Sequence, residues 1–551
     1  MKNKFVIIFS SNILFITVCT VIILGLNLTP MILDIRHSPP GRTFAMIHNN
    51  VQDFFFYQSL MNEGAGGATA IYDPYTSEPH QSSIIFAYFA WLGKISSILK
   101  LPFPITYHAT RIVLGIALLT TAFMLINYLK IPYPRLTFIL FTFAAPLMHN
   151  TIDAGNVTSV PYMNWWTGMD PIRRAAYLPH HVFGSLILVL SIFLIVKYAK
   201  EKNIKLLGCA ALFTLFLGFI HPPSLFIILL ILPVSVITYH FFHSNKFQKD
   251  LNVTFWYLIY WSIGAFILLF MISQTGHGFP WSQYLDWEKT LQFPLAGEIV
   301  GAMGFLFPFA LLGIMISIIS KKFNGLLLSA WLIAPFLLIP FAQKLNLSNI
   351  RLIQGTPYLP LSMLSSIGIK SIEDFINRKF KPLPKIKSGM LKKMVNHWII
   401  ILFTILFAIF TYPTLVWSMQ NQIKEYWPIF GNVYLDNRLN NAFSYINKNY
   451  PNKTVVLSTF YSGNYLPAFT HTVSFLGHFG YTYNVNQKQD EAFKFFKGEM
   501  TEDEAKQFLL SNKIDLVFQG PEEKPLYNHY LYPKILKTVF DEPEATIYTL
   551  K

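Results

Sequence analysis

The chain alternates between long apolar runs and short polar connections. Eleven runs, at about residues 5–28, 105–128, 134–149, 180–199, 204–220, 222–242, 252–273, 298–320, 325–342, 351–369 and 398–419, come close to the ~20 residues a membrane-spanning helix needs. A twelfth apolar stretch, "SSIIFAYFAWLGKISSIL" at 82–99, is shorter and is broken by Lys94. It is predicted to lie flat at the outer interface as an amphipathic helix. Beyond residue 420 the pattern changes. "KTVVLSTFYSG", "HTVSFLGH", "KIDLVFQG" and "EATIYTLK" read as short strands between turn residues. "TEDEAKQFLL" opens with Thr501 and Glu504 in capping-box spacing and predicts a helix. The expected fold class is a polytopic α-helical membrane protein of about eleven spans, with interfacial helices in its first outer loop. Two parts are expected: residues 1–419, with the first outer loop at 29–104, and a small extracytoplasmic α/β domain at 420–551.

Composition and charge sharpen this picture. Of 551 residues, 53% are hydrophobic and only 13% charged, far from the balance of a soluble domain of this size. The net charge of +15 would suggest nucleic acid as a partner if the cations were spread over a surface. Instead they gather in short segments between apolar runs, which marks cytoplasmic loops and excludes nucleic acid. Lys2 and Lys4 place the N-terminus inside, with no cleavage site after the first run. The pairs Lys130 and Arg135, Lys246 and Lys249, Lys321 and Lys322, and the segment "KSIEDFINRKFKPLPKIKSGMLKK", then fall inside as well. The loops with Asp53, Asp153, Asp170, Asp286 and Glu288 fall outside, as does the tail. The expectation is an N-in, C-out protein of the plasma membrane. Cys19 and Cys209 lie within apolar runs and offer no disulfide framework. In the tail neither a Walker loop nor a Gly-x-Gly-x-x-Gly turn is present.

Chemistry is left to the connections. "MIHNNVQDFFFYQSLMNEGAGG" carries Asp53 between an asparagine pair and an aromatic block. Asn49 or Asn50 is predicted to cap a short helix that Gly64 closes, with Val51, Phe54, Phe55 and Leu60 in the membrane interface. Asp53 then shares a face with Asn49, Asn50 and Tyr57. Such a carboxylate suits a general base or a ligand for a divalent ion, and a solvated loop acid is the alternative. The second outer loop holds Asp170, Arg173, Arg174, His180 and His181. Paired guanidinium groups suit a phosphate or pyrophosphate, against an ion pair with Asp170. Trp165 and Trp166 suit the interface or the face of a sugar. Adjacent histidines on one helix point in different directions, which argues against metal ligation by His180 and His181. "KLNLSNIRLIQGTPYLPLSML" puts Arg351 at the outer rim of the helix 351–369, as a headgroup contact or a snorkelling anchor.

The order of "HNNVQDFFFYQSLMNEGAGG", "YTSEPHQSSIIFAYFAWLGKI" and "RLIQGTPYLPLSMLSSIGI", followed by the tail, resembles the GT-C superfamily of integral-membrane glycosyltransferases, close to its family 39-like prokaryotic members. The resemblance implies a polyprenyl-phosphate-linked sugar as donor. It also implies a glycan, lipid or protein acceptor on the outer face, and lipid contacts around the spans. It makes Asp53 the base that deprotonates the acceptor, in a single displacement that inverts the anomeric carbon. The donor side would draw on Arg173, Arg174, Arg351, Asp170, Tyr57 and His181. Family members often pair two acids in the first loop, whereas here Gln52 and Phe54 flank Asp53. A divalent ion (Mg or Mn), if used, would then be held by Asp53 with Asp153 or Asp170. The competing readings are a multi-span transporter, for which His221 in "GFIHPPSL" speaks, and a catalytically inactive GT-C-like binding or assembly protein.

Overall fold

The computed structural model describes the chain apart from residues 1, 154, 244–246, 291–295, 346, 380–396, 427–432 and 528. Lys246 and most of the basic segment after Lys379 thus lie outside the described residues. The chain divides into two compact units. One comprises Met1–Thr29, Arg111–Leu269 and Lys289–Gln422, and the other Pro30–Thr110, Phe270–Glu288 and Ile423–Lys551.

Eight helices among the described residues are long and apolar enough to cross a membrane: Ser11–Arg36, Phe103–Tyr128, Pro179–Glu201, Pro222–Phe242, Leu251–His277, Gly297–Ser320, Phe323–Phe341 and Trp398–Ile423. The shorter apolar helices Pro134–Phe143 and Ile204–Ile220, with the helix Tyr358–Lys379, fall on the three remaining predicted runs. The chain is therefore a multi-pass membrane protein. Two of the runs end differently from the expectation. The helix from Pro134 stops at Phe143 because Ala145 precedes Pro146, which biases it away from helix. Residues Met148–Asp153 then pair as a hairpin with Asn156–Pro161. At the other run, Arg351 sits in the 3-10 turn Asn349–Ile353, and the helix begins only at Tyr358, after Gly355, Thr356 and Pro357.

Within the helical unit, the loops that the charge pattern puts on one side do come together. Arg135 reaches Ser11 (2.8 Å) and Asn12 (2.9 Å) at the start of the first helix. Buried Glu373 collects Lys370 (3.1 Å), His397 (2.8 Å) and the Tyr133 hydroxyl. Lys321 lies over Phe242, and Phe323 packs on Tyr239 and Tyr257.

The second unit is built on two short helices, α1 (Val51–Ala65) and α2 (Ala87–Leu99). Asn50 caps α1, its side chain accepting the N–H groups of Gln52 (2.8 Å) and Asp53 (3.2 Å). Gly66, not Gly64, forms the C-cap. Gly64 and Gly93 instead bring the two helices into backbone contact: a methyl on Gly64 would strike the Ala90 carbonyl, and one on Gly93 the Met61 carbonyl. Phe54, Phe55 and Leu60 are fully buried in protein, not set in a lipid interface, because Tyr107, Tyr465 and Phe469 pack on the two phenylalanines. On α2 the residues Trp91, Ile95 and Ile98 form an exposed apolar row.

The tail contributes helices α3 (Leu439–Asn449), α4 (Phe460–Phe469), α5 (Val485–Phe496) and α6 (Glu502–Ser511), with the predicted Thr501–Glu504 capping box in place. Its strands are β1 (Val455–Leu457), β2 (Val473–Ser474), β3 (Leu516–Gln519), β4 (Leu536–Glu542) and β5 (Ala545–Leu550). They form one sheet in the order β2-β1-β3-β5-β4, parallel across β2, β1 and β3 and antiparallel beyond. Leu457, Phe475, Phe495, Leu509 and Val517 fill the core beneath it. The stretch "STFYSG" leaves the strand at Leu457 and enters α4, whose start is held by the buried Glu523. That carboxylate accepts from the Thr459 N–H (2.7 Å) and hydroxyl (2.6 Å), the Ser462 hydroxyl (3.0 Å) and the Gly520 N–H (2.8 Å).

Candidate functional site

Asp53 stands in the first turn of α1 and is 43% exposed. Its neighbour is His478, whose Nε2 lies 3.5 Å from Asp53 Oδ1. The opposite ring nitrogen, Nδ1, accepts the Gly480 N–H at 3.0 Å. A neutral ring must therefore carry its proton on Nε2, the nitrogen nearer the carboxylate, which makes no hydrogen bond among the described residues. The histidine is only 8% exposed and is wedged among Phe56, Tyr75 and Tyr481. Its loop is fixed at several points. The Gly477 and His478 N–H groups donate to the Thr482 hydroxyl, which donates to the Tyr75 carbonyl. Gln52 Oε1 accepts the N–H of Phe479 at 3.2 Å. The rings of Phe479 and Tyr483 on this loop remain exposed. Tyr57, expected on the face of Asp53, is buried and stacks on Phe89 at 4.1 Å.

The helical unit gathers the other predicted residues. Arg111, fully buried in the helix Phe103–Tyr128, bonds Asn27 and the Ala176 carbonyl (2.6 Å), while Asn27 bonds the Ile172 carbonyl. These bonds tie down the short helix Pro171–Arg174. Asp170 caps that helix through Oδ1, accepting from Ile172 (2.8 Å) and Arg173 (3.0 Å), and Oδ2 accepts the Ser418 hydroxyl. Arg174 lies 3.8 Å over the Tyr358 ring and donates to the Ala144 carbonyl at 2.7 Å. It also lines a cavity of about 70 Å³ together with Trp166, Tyr177, His181, Gln354 and Thr356. In that wall the Gln354 amide and the Thr356 hydroxyl are buried and have no partner among the described residues. Thr356 also holds a positive φ of 54°, an uncommon conformation for a β-branched residue.

His181 does not stand apart from His180 as adjacent helical histidines would suggest. Its ring is 4.5 Å from His180 and 4.5 Å from His221, and the charge of Arg351 acts on all three. Thus Arg174, His181 and Arg351 meet in one unit, alongside Asp170 and Arg173, while Asp53 and Tyr57 belong to the other. Asp153 ends a strand opposite Asn156, and its side chain lies outside the described residues. For a metal the fit is poor: Asp170 spends both oxygens within the fold, and among the described residues no group of three or more His, Cys, Asp or Glu is set to hold an ion.

No protein-family model matches the chain, and no curated protein matches it in sequence. Solved structures do. The oligosaccharyltransferase of Archaeoglobus fulgidus in its apo form matches with a TM-score of 0.51 at 12% identity, over 92% of this chain and 70% of that one. The same enzyme tethered to an acceptor peptide gives 0.50 at 12% identity, over 96% and 74%. ArnT from Cupriavidus metallidurans bound to undecaprenyl phosphate gives 0.46 at 8% identity, over 96% and 97%. The fold is GT-C. The GT-C likeness read from the loops of the sequence thus holds at the level of the fold, and the chemistry rests on this chain's own residues. His478 is the residue that sequence reasoning missed. No local pattern joins it to Asp53, and the one clue was a lone histidine in the glycine-flanked turn "GHFG".

Proposed function

We propose that this protein is a membrane glycosyltransferase of the GT-C kind. It moves a sugar from a polyprenyl-phosphate-linked donor to an acceptor on the outer face of the plasma membrane, with inversion at the anomeric carbon. The observation that carries the reading is a half-exposed Asp53 with the buried His478 ring 3.5 Å away, held in a fixed loop. The kinship in fold with an oligosaccharyltransferase solved with an acceptor peptide supports it.

In this reading Asp53 takes the proton of the acceptor hydroxyl, and the oxygen so freed bonds to the anomeric carbon as the bond to the lipid phosphate breaks. His478 positions the carboxylate, and the exposed rings of Phe479 and Tyr483 offer stacking faces to a sugar. In the helical unit, Arg173, Arg174, Arg351 and His181, with the unused polar groups of Gln354 and Thr356, offer donors suited to a lipid phosphate. The apolar row of α2 rests in the outer interface. Asp170 serves as a helix cap. No step requires a metal.

The test compares wild type with Asp53→Asn in nanodiscs against a panel of polyprenyl-phosphate sugars, with and without divalent ions and a chelator. Turnover that vanishes in the variant while donor binding persists is the expected result. Donor binding without turnover in the wild type would favour an assembly or binding role, and no binding of any lipid would return the transporter reading.

A further inference from the structure

A larger cavity, about 310 Å³, lies within the second unit at the far end of α1. Glu63 lines it, ten residues beyond Asp53 on the same helix and so about 15 Å along the axis. Opposite stand Lys453 and His471 from the tail, with Asn62, Thr472 and the edge of Tyr72 completing the polar wall. Gly66, Ala68 and Ala70 leave the space open.

The wall is built from fixed parts. Glu63 Oε2 accepts the Tyr72 N–H at 3.2 Å, and its other oxygen has no protein partner among the described residues. The Asn62 amide is anchored on the Pro467 (3.2 Å) and Thr470 (2.9 Å) carbonyls. Lys453 is exposed and makes no ion pair among the described residues. Its ammonium rests 3.8 Å over Tyr72, whose ring stacks on His80 at 3.9 Å. The cavity therefore presents an acceptor (Glu63) and donors (Lys453, His471) to the same space. A hydroxyl group gives and takes a hydrogen bond at one atom, and a sugar ring carries several. The volume sits at the lower end of the roughly 300–1,000 Å³ typical of small-ligand sites.

We propose that this cavity is a saccharide-binding subsite, distinct from the Asp53 centre, that holds one sugar unit of an extended glycan. That the glycan is the acceptor rests on the transfer reading above; the binding itself does not.

The test measures binding of soluble tetrasaccharides (gluco-, manno- and chito-series) to the full chain in nanodiscs, by calorimetry and saturation-transfer NMR. At least one tetrasaccharide is expected to bind, and to be weakened tenfold or more in Glu63→Ala and in Lys453→Met. Lys453 is a surface side chain, so Lys453→Met keeps the fold even if Glu63→Ala does not. Binding by none of the panel, or binding indifferent to both substitutions, overturns the subsite. Saccharide binding that depends on Lys453 in a protein without transferase turnover upholds the subsite and counts against the transfer reading alone.

Discussion

Replacing Glu63 by glutamine asks what the fold gains from an acid that it largely removes from water. Burial pushes this carboxyl from its ordinary 4.5 up to about 7, and the Tyr72 N–H and the Lys453 charge draw it back only in part. Between those values the folded protein keeps a proton that the unfolded chain has released. The stability from this group is therefore fully present below about pH 4.5 and is lost as the pH rises through 7. The distance from 4.5 to about 7, at about 1.4 kcal/mol per pH unit, bounds the effect at about 3.5 kcal/mol, less some relief from residual solvent contact. Glutamine keeps the shape and still accepts the Tyr72 N–H, but never ionises. Glu63→Gln should match wild type near pH 4.5 and exceed it by up to about 3 kcal/mol at pH 8, several degrees in melting temperature. Thermal unfolding in detergent from pH 4.5 to 8.5 reads this directly. Burial also raises Asp73 and Glu523, so the variant-minus-wild-type difference is the quantity to follow. A difference that stays flat with pH, or a variant less stable at pH 8, would refute the reasoning.

Substitutions at three other positions probe separate links. Gly93→Ala drives a methyl into the Met61 carbonyl and should cost about 3 kcal/mol, seen as a lower melting temperature; a neutral result would mean α1 and α2 separate freely. Glu523→Ala strips four donors of their acceptor and should cost about 3 kcal/mol or more, with amide exchange in α4 accelerating first; unchanged exchange would show that the helix start needs no anchor. His478→Phe keeps the ring packing but removes the ring nitrogen nearest Asp53. It should lower kcat about 10- to 100-fold with little change in KM, and His478→Gln should restore part of it; a kcat equal to wild type would leave His478 without a role.

The helical half was legible because each run obeys one rule, apolar length against polar breaks, and Pro146 and Pro357 account for the two ends that moved. The tail was harder. Strand β4 carries Lys537, Asp541 and Glu542 along the edge of the sheet, which dilutes its alternation and hid it. "STFYSG" keeps an apolar look, yet the Ser462 hydroxyl and the Thr459 N–H and hydroxyl are bonded by a glutamate sixty residues on, which makes it a helix start. At the site, Asp53 was visible as a lone acid in an aromatic block. His478, Gln354 and the Glu63 cavity depend on contacts between distant segments, which periodicity does not encode.

The second unit has a consequence for the order of events during synthesis. Asn62 bonds the carbonyl of Pro467, 405 residues later in the chain. At roughly 5–20 residues per second, some 20 to 80 s pass between the appearance of α1 and that of the tail that covers it. Through that interval Phe54, Phe55 and Phe56 lack the rings of Tyr465, Phe469 and Tyr481 that pack on the latter two in the finished protein. The nascent first loop is thus a client for a holding chaperone or for the lipid surface itself. A truncation before residue 423 would leave it in that state permanently, so the tail is a folding partner of the loop as much as a domain of its own.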